Sequence, residues 1–207
     1  MSRELIREWE FRQSSDSGDG RTLEGYAAVF DQRTTIRDYS GEFTESIARG
    51  AFRKTLTERM PALQWNHGSD PAVGEVPIGK FVALHEDTHG LHVTGRVFAN
   101  QAAERVREAI AEEAVTGMSF RFRVLRDSWV DERGKTIAGE HVQRALHAGK
   151  QLHRTLREVQ LMEAGPVLSP AYAGTSVSVR SADGGAACPH LLSAAQARRM
   201  LDLLKEL

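Results

Sequence analysis

The most regular feature of the chain is the alternation of polar and apolar side chains from Ser119 to Val124, within a strand-like run over residues 119–125. The apolar face carries Phe120, Phe122 and Val124, and the opposite face carries Ser119, Arg121 and Arg123. A period of two is the spacing of a half-buried β-strand and does not fit a helix, whose side chains repeat every 3.6 residues or so. The fold must therefore bury one face of a strand that begins at Ser119.

Other strand-like segments recur along the chain, separated by clusters of Gly, Pro, Ser and Asp. They cover residues 5–11, 22–30, 78–84, 90–98, 154–162 and 175–179. Helical periodicity is confined to residues 43–60, 101–115 and 191–207, and Asn100 is a suitable N-cap for the second of these segments. Many short strands with few helices predict an α+β barrel or sandwich with peripheral helices, rather than a doubly wound fold.

Length and a glycine pair near the C-terminus predict the domain organisation. A chain of 207 residues is long enough for one compact domain. Gly184 and Gly185 are typical of a linker, and the apolar stripe of residues 191–207 is typical of an amphipathic helix. We therefore expect one folded domain over residues 1–182, followed by a linker and helix over residues 183–207. That helix either docks on the core or binds a partner.

Charge and cysteine content indicate which class of partner and which cellular compartment to expect. The 27 basic residues nearly balance the 28 acidic ones, which gives no electrostatic reason to expect nucleic acid or a membrane as partner. The single cysteine, Cys188, excludes an internal disulfide and favours a reducing compartment. No segment approaches the roughly 18 apolar residues of a membrane span. The expectation is a soluble intracellular protein without a cofactor.

Three separated residues offer the chemistry of a serine nucleophile. Residues 61–67 are predicted to be extended, so that Leu63, Trp65 and His67 share a face. Ser119 begins the strand described above, and Glu158 lies in a strand-like run. A serine hydroxyl needs a base, and the base needs a third group that orients it. Each residue taken alone also fits a structural role, and a salt bridge is the alternative for Glu158.

Two other catalytic patterns fit the sequence less well. Ser119 lacks the Gly-x-Ser-x-Gly elbow of α/β-hydrolases, because residue 121 is arginine and a strand follows the serine. The close spacing of His85, His89 and His92 is compatible with a metal-dependent hydrolase. Their position in a turn between two strands, without a helical HExxH pattern, favours a solvated hairpin tip over a zinc site.

Taken together, the motifs resemble the prohead (capsid maturation) proteases of tailed bacteriophages over residues 22–180. The matching elements, in the family's order, are residues 25–30, Glu45, the segment Gly50, Ala51 and Phe52, the pair Asn66 and His67, residues 117–120, and Glu158 and Val159 followed by Pro170 and Ala171. Three positions depart from the family pattern: Gly68 after the histidine, Arg121 after Ser-Phe, and Gln160 after Glu-Val.

The resemblance implies a serine endopeptidase with His67 as base, Ser119 as nucleophile and Glu158 as the third member. It also implies a fold related to the herpesvirus assemblin proteases, a mainly antiparallel β-barrel surrounded by helices. The expected substrates are the scaffolding segment of the major capsid protein and the protease itself, inside the assembling procapsid in the host cytoplasm. A homodimer is implied only by analogy of fold. The alternative function is a non-enzymatic scaffold or chaperone of capsid assembly.

Overall fold

The computed structural model describes residues 4–9, 19–115, 117–168 and 178–179. The strands are β1 (Glu4–Trp9), β2 (Thr22–Val29), β3 (Thr34–Asp38), β4 (Gly41–Ile47), β5 (Ala62–Leu63), β6 (Gly79–Glu86), β7 (Gly90–Val97), β8 (Gly117–Asp131), β9 (Thr136–Ile137), β10 (Leu152–Val167) and β11 (Ser178–Val179). The helices are α1 (Arg53–Glu58), α2 (Gln101–Ala111) and α3 (Gly139–His147). The linker and helix predicted for residues 183–207 lie outside the described residues.

The strands form one mixed sheet that curls into a half-barrel. Its main path runs β1-β8-β10-β5-β6-β7-β2-β11, while β4 joins β10, β3 joins β4, and β9 joins β8. The first half of β10 pairs in parallel with β4 and its second half in parallel with β5. In the described residues β1 and β11 end the path without pairing with each other. The α+β class is thus confirmed, and the sheet is mixed and open where an antiparallel barrel was predicted.

Helix α1 fills the interval between the two parallel partners of β10. The amide of Val159 donates to the carbonyl of Ala51 at 3.0 Å, and the amide of Leu161 donates to Oγ1 of Thr55 at 3.0 Å. These bonds satisfy amides of β10 that no neighbouring strand reaches. The Gly-Ala-Phe motif therefore has a structural role. The carbonyl of Ala51 accepts a hydrogen bond from β10 where no strand pairs with it, and the fully buried ring of Phe52 packs into the core.

The core lies under β8 and β10, as the alternation predicts. Phe120 and Phe122 have no exposed surface, and their ring centroids are 4.9 Å apart. The ring of Phe52 packs edge-on against Phe120 at 5.6 Å. A smaller apolar cluster joins the β3-β4 hairpin to α3, where Phe43 and Leu146 are buried. The carboxyl half of β10 therefore has the main core on one of its two faces.

Parts of the predicted secondary structure differ from the structure. Residues 43–47 were predicted as helix but form most of β4, because their backbone is taken up by β3 and β10. Residues 139–147 lie outside the three segments with helical periodicity but form α3. Helix α2 is confirmed with its N-cap, since the Asn100 side chain accepts a hydrogen bond from the amide of Ala103. No helix in the described ranges is long and apolar enough to cross a membrane.

Candidate active site

Ser119 lies near the start of β8, on a face that it shares with two charged residues. In the antiparallel pair of β8 and β10, Ser119 stands opposite Gly165, and Arg121 stands opposite Glu163. Residues opposite each other, or two apart along a strand, project to the same face of a sheet. Ser119, Arg121 and Glu163 therefore share one face. Ser119 is completely buried there, with 0% of its surface exposed.

His67 lies in a strained turn, not in the extended segment predicted for residues 61–67. Strand β5 ends at Leu63, and the turn Asn66–Gly68 follows with three consecutive positive φ angles of 45°, 55° and 73°. For residues other than glycine this left-handed conformation costs about 1–2 kcal/mol each. Gly68 has no such penalty, and a Cβ there would also press on Glu75 at 3.1 Å. Strain of this kind clusters at functional sites.

The loop after the turn is fixed by Asp70. The indole Nε1 of the buried Trp65 donates to Asp70 at 3.0 Å, and the amides of Ala72 and Val73 donate to the other oxygen of the same carboxylate. The hydrogen bond from Trp65, together with those from the two amides, lowers the pKa of Asp70 below its usual value. The hydrogen bond between Trp65 and Asp70 therefore joins the two ends of the turn that carries His67.

A buried carboxylate holds the imidazole of His67. Nδ1 of His67 lies 2.6 Å from Oε1 of Glu163, and only 11% and 5% of the two side chains are exposed. Because a carboxylate only accepts, Nδ1 carries the proton in this bond and Nε2 is the basic nitrogen. Among the described residues, Nε2 of His67 is buried and has no hydrogen-bond partner. This is the arrangement of a general base oriented by an acid.

Glu158, the predicted third member, does not contact His67. Its carboxylate forms ion pairs with Lys54 at 3.3 Å and with Arg126 at 3.8 Å. About a quarter of its side chain is exposed, whereas Glu163 is nearly sealed. The structure therefore brings His67 to Glu163 and leaves Glu158 in the salt bridge that was its alternative interpretation.

The sequence does contain a signal for Glu163. It is a carboxylate within a run that is otherwise apolar and buried, formed by Leu161, Ala164 and Val167. A buried charge is costly unless it is paired, so an acid in such a run indicates a specific partner. The Glu-Val motif drew the assignment to Glu158, five residues earlier.

Gly165 allows the His67 segment to approach the strand pair. A Cβ on Gly165 would lie 1.7 Å from the carbonyl oxygen of Gln64, which is closer than any real contact. Gln64 is bound here because its amide donates to the carbonyl of Ala164 at 3.1 Å. Residue 165, which stands opposite Ser119, must therefore lack a side chain because Gln64 packs directly against it.

Replacing Gly165 by alanine is expected to lower the free energy of unfolding by about 2–3 kcal/mol, because the added carbon forces Gln64 away from β10. Urea denaturation of the variant and the parent chain measures this difference. Gly139→Ala is the matched control, since a Cβ at Gly139 meets no atom within 4 Å. Equal stabilities of Gly165→Ala and the parent chain would contradict the close approach.

The histidine cluster of the β6-β7 hairpin is a structural group. His92 lies 3.4 Å from Glu24, and its ring packs edge-on against Tyr26 and in a tilted arrangement against His85. Burial, and to a smaller degree His85, lowers the pKa of His92 below its usual value. The described residues contain no group of three or more His, Cys, Asp or Glu side chains that could hold a metal ion.

Comparisons with known proteins bear on the family to which this chain belongs. The family model described as caudovirus prohead serine protease matches residues 8–187. The prohead protease of Enterobacteria phage HK97 is 34% identical over 118 residues, which are 55% of this chain and 48% of that protein. This chain thus spans about half the length of the curated relative it matches.

A solved structure, that of the bacteriophage T4 capsid assembly protease, is similar with 13% identity and a TM-score of 0.47, over 81% of this chain and 98% of that one. The family resemblance seen in the sequence is confirmed by the match to the family model. Since that match extends over most of its length, this chain belongs to the caudovirus prohead serine protease family.

Proposed function

We propose that this chain is a serine endopeptidase of capsid maturation in which Ser119 is the nucleophile, His67 the base and Glu163 the acid that orients the base. The observation that carries the proposal is the 2.6 Å contact between Nδ1 of His67 and Glu163, on the face of the sheet that Ser119 shares. It differs from the expectation drawn from the sequence in one residue, because Glu163 takes the role assigned to Glu158.

The mechanism follows from the two nitrogens of His67. Nε2 takes the proton of the Ser119 hydroxyl as its oxygen attacks a peptide carbonyl. The protonated imidazole then passes that proton to the leaving amine, and an acyl-enzyme remains on Ser119. Water, activated by the same nitrogen, releases the acyl group. Glu163 orients the imidazole and offsets the charge that the imidazole carries while protonated.

The burial of Ser119 restricts the access of a peptide substrate to the site. With none of its surface exposed, the serine meets a peptide carbonyl only after a neighbouring segment moves aside. In the described backbone, β1 pairs with β8 and places Glu8 opposite Ser119. Substrate entry therefore requires a local opening, and small acylating reagents are better first probes of the site than folded proteins.

The substrate class rests on family membership. We infer that the chain cleaves the scaffolding segment of the major capsid protein, and itself, within the assembling procapsid in the host. A herpesvirus-protease-like closure of the sheet and a homodimer belong to the same proposal and rest on the resemblance alone. The rival function, a non-enzymatic scaffold of capsid assembly, needs no reactive serine.

A serine-directed fluorophosphonate tests the proposed chemistry without knowledge of the cleavage site. We expect one adduct per chain, mapped to Ser119 by peptide mass spectrometry, and no adduct in His67→Ala. A chain that stays folded and takes no label at Ser119 would overturn the proposal and favour the scaffold. Labelling at any other serine would remove Ser119 from its role.

A further inference from the structure

We propose that Arg121 is a positioning residue of this site: its guanidinium joins the His67 turn to the Glu163 carboxylate and thereby keeps the imidazole aimed. The inference rests on the proposed function and concerns a residue that the mechanism above does not use. Nη2 of Arg121 donates to the backbone carbonyl of His67 at 2.7 Å, and Nε lies 3.3 Å from Oε1 of Glu163.

The first contact acts on a strained backbone. His67 and its neighbour Asn66 hold positive φ angles, and such conformations persist only where the surroundings fix them. The bond from Arg121 reaches the carbonyl of His67 itself, so it restrains the peptide unit from which the imidazole projects. Without it the turn is free to relax toward ordinary φ angles and to carry the ring away from Glu163.

The second contact acts on charge. Glu163 is 5% exposed, and a buried carboxylate whose only donor is a neutral imidazole lacks a counter-charge. A buried charge without a partner is costly, and removing the partner of such a charge is strongly destabilising. Arg121 supplies the permanent positive charge, because a guanidinium stays ionised. The carboxylate thus has a cation beside it as well as the imidazole that it orients.

The imidazole of His67 and the guanidinium of Arg121 meet the same carboxylate oxygen. Oε1 of Glu163 faces Nδ1 of His67 and Nε of Arg121, whereas Oε2 is buried without a hydrogen-bond partner among the described residues. Arg121 therefore fixes which oxygen meets the imidazole. The same side chain is only 27% exposed, so its contacts are shielded from solvent and from salt.

The test compares Arg121→Met, which keeps the length of the side chain without its charge, with Arg126→Met on the same strand. Arg126 is 67% exposed and contacts Glu158 instead of His67. The readout is the rate of Ser119 labelling by fluorophosphonate at increasing probe concentration. We expect Arg121→Met to lower the limiting rate by about 10²-fold, the scale of a small misplacement of a catalytic group, with little change in half-saturation. Arg126→Met should label at the parent rate.

Chemical rescue separates charge from shape. In Arg121→Ala, guanidinium at concentrations far below those that unfold proteins should restore much of the lost rate, whereas urea, which is similar in shape but uncharged, should not. Parent-like labelling of Arg121→Met, or equal rescue by urea, would overturn the proposal. The melting temperatures of all variants show whether any variant has lost its fold.

A second readout does not depend on catalysis. The Nδ1-bound proton of His67, detected by NMR of the ¹⁵N-labelled chain, should be present in the parent protein and in Arg126→Met and be lost or shifted in Arg121→Met. An unchanged signal in Arg121→Met would refute the role of Arg121 even if no serine is labelled. Absence of labelling in a parent chain that retains this signal would instead refute the proteolytic function.

Discussion

Replacing Ser119 by alanine is expected to abolish processing of the capsid protein, with a loss of rate of about 10⁶-fold, the scale seen when a serine protease loses its nucleophile. The substitution removes one oxygen from a buried position on β8, so the fold should be retained. Co-expression of the chain with the major capsid protein of the same phage measures the effect, because processing shortens the capsid chain by a mass that is easily resolved.

The matched control is Ser128→Ala, a serine on the same strand whose hydroxyl accepts a hydrogen bond from Nε of Arg157. That variant should process the capsid protein as the parent chain does. Continued processing by Ser119→Ala would exclude Ser119 as nucleophile. Loss of capsid assembly without loss of cleavage would instead assign the chain a scaffolding role.

The strands around the site could largely be predicted because alternation directly reflects which face of a strand is buried. Phe120 and Phe122 follow that rule, and both are fully buried in β8. The β6-β7 hairpin and helix α2 were predicted for similarly local reasons, a turn between two apolar runs and an N-cap. Each of these features is decided by residues close together in the chain.

Strand β4 could not be predicted in this way. Phe43 and Ile47 lie four residues apart, which also fits one face of a helix. Their segment is extended because it pairs with the neighbouring β3 and, in parallel, with β10, where Ser46 meets Thr155. The partner strand follows more than a hundred residues later, and no local pattern announces a pairing across that separation.

Glu163, the acid that we propose, was not predicted, because the Glu-Val motif pointed to Glu158 and the irregular pairing of β10 hides which acid is buried. Its pairing with β8 shifts between Leu156 and Glu158, again before Val159, and again between Leu161 and Glu163. Each β-bulge inserts a residue and changes which face the following side chains occupy. Counting by twos from Leu156 therefore places Glu158 with the core, whereas it is partly exposed beside Lys54.

Replacing Glu163 by glutamine is expected to slow acylation of Ser119 by about 10³- to 10⁴-fold, as the corresponding acid-to-amide change does in a serine protease triad. An amide is neutral and can donate its own hydrogen to Nδ1, which would place the imidazole proton on Nε2 and remove the base. Glu158→Gln is the matched comparison on the same strand. Its ion pairs are partly exposed, so the change should cost at most about 1 kcal/mol of stability and leave the rate intact.

The rate of fluorophosphonate labelling at Ser119 in these two variants tests the central claim most directly, because both carry the same chemical change at positions five residues apart. We predict a parent-like rate in Glu158→Gln and a rate lower by about 10³-fold or more in Glu163→Gln. Parent-like labelling of Glu163→Gln, with the loss in Glu158→Gln instead, would contradict the assignment of Glu163 as the acid that orients His67.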